Sequence, residues 1–137
     1  MKKWLFLLLF FAVSAKAETL LIQTKNDLLV FKTDIADTVE KREKGLMFKQ
    51  SIPVDYAMTF VLERPLLIAM WMKNTYIPLD MIFFDESGTV VHLIENARPH
   101  DLTPLSSKVK VKGVIELNAG LIKNNNIQIG DKISIKR

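Results

Sequence analysis

The chain has 137 residues, no cysteine, and 19 Lys and Arg side chains against 15 Asp and Glu. Without cysteine, neither a disulfide framework nor thiol chemistry is available to it. Three of the lysines lie within residues 1–17, so the remainder holds 16 basic against 15 acidic side chains. That balance excludes the clustered basic face of a nucleic-acid-binding protein.

The first predicted element is an export signal over residues 1–17. A positive Met-Lys-Lys start precedes an unbroken apolar run over residues 4–13, and Ala-Lys-Ala at 15–17 matches the small-x-small pattern of a cleavage site. The run is shorter than the roughly twenty residues that span a membrane. We expect cleavage after Ala17 and a periplasmic or secreted single domain over residues 18–137 with no transmembrane segment. The alternative is an uncleaved anchor that holds the same domain outside the membrane.

The remaining chain alternates short apolar runs with turn residues. Asp37 or Thr38 can cap a short helix, which Gly45 ends in a position that favours positive φ. A second helical turn is predicted at 119–124. Strands are predicted at residues 19–23, 28–33, 57–62, 67–72, 79–85, 89–95, 109–117 and, as two short pieces, 127–135. The pattern predicts a mostly β fold, a compact antiparallel sandwich or barrel of about eight short strands with one or two short helices.

The densest group of polar and aromatic side chains lies between two of these strands. Trp71, Lys73, Asn74 and Thr75 fall at the end of one strand and in the loop that follows it. Aromatic faces beside hydrogen-bonding side chains suit a polar small molecule or a peptide. The alternative is a turn whose Asn and Thr bond their own backbone while Trp71 fills the core.

Asp80 comes directly after this loop, on the same strand face as two apolar residues, Ile82 and Phe84. An ionised carboxylate in such a neighbourhood must be paired or well hydrogen-bonded. Lys73, Arg42 and the backbone N–H groups of the 73–75 loop are the predicted partners. Asp80 either faces a ligand or pins the loop to the sheet.

Two further charged residues belong to the predicted ligand-binding set. Arg42, three residues before Gly45, is predicted either to pair with Asp80 or to anchor an anionic group of a ligand. Glu116 shares a strand face with Val114 and Asn118 and is either a ligand contact or a solvent-exposed strand residue.

Several short motifs occur in order along the chain. They are Thr38, Arg42, Gly45-Leu46-Met47, Trp71-Met72-Lys73-Asn74-Thr75, Ile77-Pro78-Leu79-Asp80, Glu116-Leu117-Asn118-Ala119-Gly120 and Gly130-Asp131. Together they resemble the uncharacterised family catalogued as domain of unknown function 192. The resemblance implies a compact, mostly antiparallel β domain, often exported, whose biochemical role is unassigned. Two positions depart from it: Ala57-Met58-Thr59-Phe60 replaces Gly-Met-Leu-Phe, and Lys49 stands where Arg is common.

Two other classes of function remain open. One is a structural or protein-interaction module of the cell envelope. The other is periplasmic Cu(I) binding through soft ligands, for which the available side chains are Met47, Met58, Met70, Met72, Met81, Trp71, His92 and His100. No catalytic motif is present, and no catalytic residue, resident metal or cofactor is predicted.

Overall fold

The computed structural model describes residues 18–137, so the predicted signal peptide lies outside the described residues. Within them the chain forms nine strands and two short helices. In chain order these are β1 (Glu18–Gln23), β2 (Leu28–Ala36), α1 (Val39–Lys44), β3 (Tyr56–Leu66), β4 (Ala69–Met70), β5 (Leu79–Phe84), β6 (Val90–Ala97), β7 (Leu105–Ser106), β8 (Val111–Asn118), α2 (Leu121–Asn124) and β9 (Lys132–Lys136). Neither helix is long enough to cross a membrane.

Seven strands form one sheet in the order β6-β5-β8-β3-β2-β1-β9, and β4 pairs only with β7. The seven-stranded sheet is curled into a half-barrel. The predicted mostly β fold is therefore confirmed. One pair, β2 and β3, runs parallel. Parallel neighbours require a crossover connection, and α1 with residues 45–55 supplies it.

The curled sheet buries an apolar cluster against each of its faces. On one face, Ile82 and Ile115 pack in the same cluster as Ile122 of α2. On the other, Phe60 and Met81 pack with Leu46, which follows α1. We call these the α2 face and the α1 face. Successive residues of a strand point to opposite faces, so neighbouring strand residues serve different sites.

The ends of α1 follow the sequence closely. Thr38 is extended, and its hydroxyl accepts a hydrogen bond from the Lys41 backbone N–H at 3.2 Å. Gly45 has φ of 48° and donates its N–H to the Lys41 carbonyl. Both the predicted cap and the predicted stop are confirmed, because each depends on local chemistry.

Three of the predicted strands differ most clearly from the structure. β3 continues through Pro65 to Leu66, because a register shift after Val61 accommodates the proline. The strand predicted at 67–72 is reduced to the two residues of β4. Residues 127–129 form no strand, since Ile127 donates its N–H to the Ile122 carbonyl in the turn after α2.

Candidate functional site

The loop of residues 71–78 is tied to two neighbouring segments by backbone hydrogen bonds. The Met72 N–H donates to the Asp101 carbonyl at 2.9 Å, and the His100 N–H donates to the Thr75 carbonyl at 3.1 Å. On the other side, the Phe48 N–H donates to the Asn74 carbonyl at 2.9 Å. These contacts fix the loop against the segment that leaves α1.

Thr75 and Asn74 shape this loop from within. Thr75 is buried, and its hydroxyl donates to the Lys73 carbonyl at 3.0 Å. Asn74 has φ of 51°, a left-handed conformation that Asn tolerates better than most residues. For Thr75 this internal hydrogen bond is the backbone-bonding alternative that the sequence left open.

A groove of about 500 Å³ separates α1 from the loop. Its walls carry carboxylates, ammonium groups and aromatic rings. The lining residues are Glu40, Glu43, Lys44, Met47, Phe48, Trp71, Lys73 and Asn74. The structure therefore brings three of the predicted site residues together in one concave surface. The α1 wall was missed, because nothing local to 40–48 indicates which loop lies opposite.

Trp71 lies at the surface instead of filling the core. Its side chain is 48 % exposed, and the Lys73 Nζ lies 5.1 Å from the ring centroid. Across the groove, Phe48 is 56 % exposed and packs edge-on against Tyr76 with centroids 6.0 Å apart. Clustered exposed aromatic rings of this kind mark interaction surfaces.

A second, smaller cleft begins on the other side of Trp71. It measures about 240 Å³ and is mainly apolar, with walls formed by Ala69, Met70, Trp71, Leu102 and Pro104. Leu102 is 61 % exposed. Trp71 thus lies between a groove lined by charged and aromatic side chains and a smaller apolar cleft.

Asp80 lies on the α2 face, away from this groove. Its Oδ1 accepts from the Asn96 N–H at 2.9 Å, and its Oδ2 accepts from the N–H groups of Gly120 and Ile122, both at 3.0 Å. The predicted pairing with Lys73, Arg42 or the 73–75 loop is wrong. The carboxyl group is fully buried and joins β5 to the end of β6 and the start of α2.

Arg42 lies on a different side of α1 from the groove. Its Nη1 donates to the Val61 carbonyl at 3.1 Å, which holds the helix against β3. It lines a separate depression with Leu62 and Arg64. The structure therefore does not bring Arg42 together with Trp71 and Lys73.

Glu116 is buried on the α1 face, with only 4 % of its surface exposed. The solvent-exposed alternative is wrong, because the crossover covers this face of β8. Burial raises the pKa of the Glu116 carboxyl to about 8. Its neighbours in register are Met58 on β3 and Met81 on β5.

Sequence reasoning also missed a contact of Asp34, which lies opposite Met58 in the register of β2 and β3. The Tyr56 hydroxyl donates to Asp34 Oδ2 at 2.8 Å. Burial, followed by that contact with Asp34, raises the pKa of Tyr56. Asp34 and Met58 both line a cavity of about 420 Å³ at the edge of the α1 face.

The soft side chains named for copper are only partly brought together. His92 packs against Phe83 with centroids 5.4 Å apart, and His100 packs against Tyr76 at 5.3 Å. Within residues 18–137 no three His, Asp or Glu side chains are placed to hold a metal ion. Two of the methionines, Met58 and Met81, lie opposite Glu116 in the register of the sheet.

Comparison with known proteins finds relatives for nearly all of the described residues. A family model described as "Uncharacterized ACR" (DUF192) matches residues 20–135. A UPF0127 protein from Thermococcus sibiricus is 36 % identical over 116 residues, which cover 83 % of this chain and 72 % of that protein.

Two crystal structures share the fold. A protein of unknown function from Novosphingobium aromaticivorans superposes with a TM-score of 0.83 at 34 % identity, covering 85 % of this chain and 83 % of its own. A protein from Sinorhizobium meliloti named "putative transcription regulator" gives 0.82 at 35 % identity, covering 86 % and 92 %.

Proposed function

This chain belongs to the DUF192 family, and we propose that it is a binding module that holds a polar small molecule or a peptide in the groove between α1 and the 71–78 loop. The observation that carries the proposal is the position of Trp71. A large, half-exposed indole stands between two clefts and carries a lysine ammonium on its face. Trp at such positions contributes strongly to ligand binding.

The dimensions of the groove support this proposal. A volume near 500 Å³ lies within the roughly 300 to 1,000 Å³ of small-molecule sites. Groups of both charges line it: carboxylates on α1 and the ammonium of Lys73. A ligand with hydrogen-bonding groups and an apolar part would contact the charged side chains of the groove, the face of Trp71 and the apolar cleft beside it.

The loop is also held in place before any ligand arrives. Hydrogen bonds from Phe48, Met72 and His100 fix its backbone on both sides. A site whose backbone is already ordered spends less conformational entropy on binding. Such rigidity supports a binding role.

Transcriptional regulation, which the name of the Sinorhizobium meliloti relative implies for that protein, is outside this proposal. The chain beyond residue 17 has 16 basic against 15 acidic side chains. Phosphate-backbone binding depends on a cluster of uncompensated Lys and Arg.

Export is part of the proposal. It rests on the charged start, apolar run and small-x-small pattern of residues 1–17. Expression of the full chain in a Gram-negative host and intact-mass analysis of the periplasmic fraction test it. Processing after Ala17 is the expected result, and an unprocessed chain in the cytoplasm would contradict it.

The binding proposal is tested by a thermal-shift screen against amino acids, short peptides, sugars and cell-wall fragments. A ligand at 100 times its Kd adds about 2.7 kcal/mol, a shift of several degrees for a domain of this size. Trp71→Ala and Lys73→Ala should abolish the shift given by a hit. Lys25→Ala, in the exposed β1–β2 turn, is the matched control and should retain it. Hits that survive both groove variants would refute this site.

A further inference from the structure

Glu116 is the buried carboxyl group that the binding groove does not use. It is 96 % buried, since only 4 % of its surface is exposed. No residue within 18–137 donates a hydrogen bond to it, and burial alone accounts for its raised pKa. Buried polar groups in folded proteins are normally hydrogen-bonded, and in the described residues Glu18 Oε2 is the one fully buried side-chain oxygen without a partner, so the Glu116 oxygens keep slight contact with solvent.

The two side chains that flank it are both methionines. Met58 of β3 lies directly opposite Glu116, and Met81 of β5 lies directly opposite it on the other side. Side chains opposite each other on adjacent strands have Cβ atoms about 5 Å apart. All three project from the α1 face, where Met81 belongs to the buried cluster and Met58 packs against it. The flexible Met side chain can turn its sulfur toward a neighbouring group.

We propose that Met58, Glu116 and Met81 form a binding site for a soft monovalent cation, Cu(I) or its analogue Ag(I). Thioether sulfur favours such ions over Zn²⁺, Mg²⁺ and Ca²⁺. The carboxylate supplies the negative charge that a buried cation requires. On binding, the carboxyl proton leaves to solvent and the cation takes its place, so no redox step is involved.

Access to this site is available along Met58. That side chain is partly exposed and lines the 420 Å³ cavity at the edge of the α1 face. The cavity rim carries three carboxylates, from Glu18, Asp34 and Asp37, against three lysines. Rim charges therefore balance, and among the described residues Met58 is the one thioether that lines the cavity, so an ion would pass Met58 to reach Glu116 and Met81.

Other methionines provide matched controls. Met47 is partly buried and lines the groove beside Trp71, away from the row on β3, β8 and β5. Met72 is fully buried in the α1-face cluster but lies outside that row. Substituting leucine at either position keeps the apolar volume and leaves the proposed ligands intact.

The test is isothermal titration of the purified protein with Ag(I) at pH 7, in nitrate buffer free of chloride. We expect one ion per chain, with affinity weakened about tenfold or more in Met58→Leu, Met81→Leu and Glu116→Gln and unchanged in Met47→Leu and Met72→Leu. Circular dichroism confirms that each variant is folded. An absence of binding, or binding that the three ligand variants leave intact, overturns the proposal.

A second readout separates this site from adventitious surface binding. X-ray absorption at the silver edge should show sulfur neighbours in the wild-type complex and fewer in Met58→Leu. Proton uptake by the buffer should show about one proton released per ion in the wild type and none in Glu116→Gln. An oxygen- and nitrogen-only shell would contradict the assignment.

Discussion

Two carboxyl groups on adjacent strands show how far one residue's environment decides its role. Asp80 and Glu116 lie on β5 and β8, both buried and on opposite faces of the sheet. Asp80 accepts hydrogen bonds from three backbone N–H groups, whereas Glu116 has burial without such donors. Asp80 therefore links β5 to β6 and α2, whereas the Glu116 carboxyl group keeps its proton at neutral pH.

Asp80→Asn should destabilise the fold without changing the groove. Replacing one carboxyl oxygen by an NH₂ group turns an acceptor into a donor that faces backbone N–H donors. The expected loss in free energy of unfolding is about 2 to 4 kcal/mol. Chemical denaturation measures it, with Asp37→Asn as the exposed control. Loss of ligand binding by a fully folded Asp80→Asn would place Asp80 in the site instead.

Glu116 should make the stability of the protein depend on pH. Burial raises its folded-state pKa to about 8 from an ordinary value of 4.5, so the folded state binds the proton more tightly. The resulting stabilisation is complete below about pH 4.5, declines as pH rises toward 8, and is absent above it. It amounts to a few kcal/mol, on the order of 1.4 per pH unit.

Denaturation of wild type and Glu116→Gln from pH 5 to 9 tests this dependence. The difference between the two curves isolates Glu116 from other groups in this pH range, such as His92, whose pKa burial lowers. The glutamine variant should gain relative stability as pH rises. A constant difference would show that the carboxyl titrates normally.

Strand β8 pairs with β3 on one side and with β5 on the other, and a glycine allows the three strands to approach closely. Gly113 of β8 lies where a Cβ atom would approach the Phe60 carbonyl oxygen and the Phe84 ring to within 3 Å. The Phe60 contact is with backbone, which cannot rotate away. This glycine permits the close approach of β8 to the Phe60 backbone and the Phe84 ring.

Gly113→Ala should therefore cost about 3 kcal/mol through overpacking. Gly130→Ala is the control, because it has open space around a Cβ and a φ of 99°. Its backbone strain should cost about 1 kcal/mol. Thermal unfolding of both variants measures the difference. Equal losses of stability in the two variants would mean that the sheet relaxes to accommodate a Cβ atom at Gly113.

For the whole molecule, predictability from sequence depends on how local each feature is. Thr38 and Gly45 define α1 by contacts within a few residues, and their roles were predicted correctly. The partners of Asp80 lie 16, 40 and 42 residues away, and no local pattern could identify them. The burial of Glu116 on β8 was equally unpredictable. It depends on a crossover about 70 residues earlier in the chain, and only the folded sheet brings the two segments together.

The residues of the predicted binding site also separate into those that sequence could locate and those that it could not. Trp71, Lys73 and Asn74 were identified because they are neighbours in sequence. Glu40, Glu43 and Phe48 complete the groove from the other side, and Arg42 is directed elsewhere by the rotation of α1. A six-residue helix gives too short a pattern to fix which face turns toward the loop.

Ligands are expected to bind between α1 and the 71–78 loop. The most direct measurement is backbone amide NMR of the protein titrated with a hit from the ligand screen. Shift changes should concentrate on Glu43, Phe48, Trp71, Lys73 and Asn74, and Trp71→Ala should abolish them. Changes confined to other surfaces, or a hit that binds Trp71→Ala with the wild-type affinity, would contradict the account.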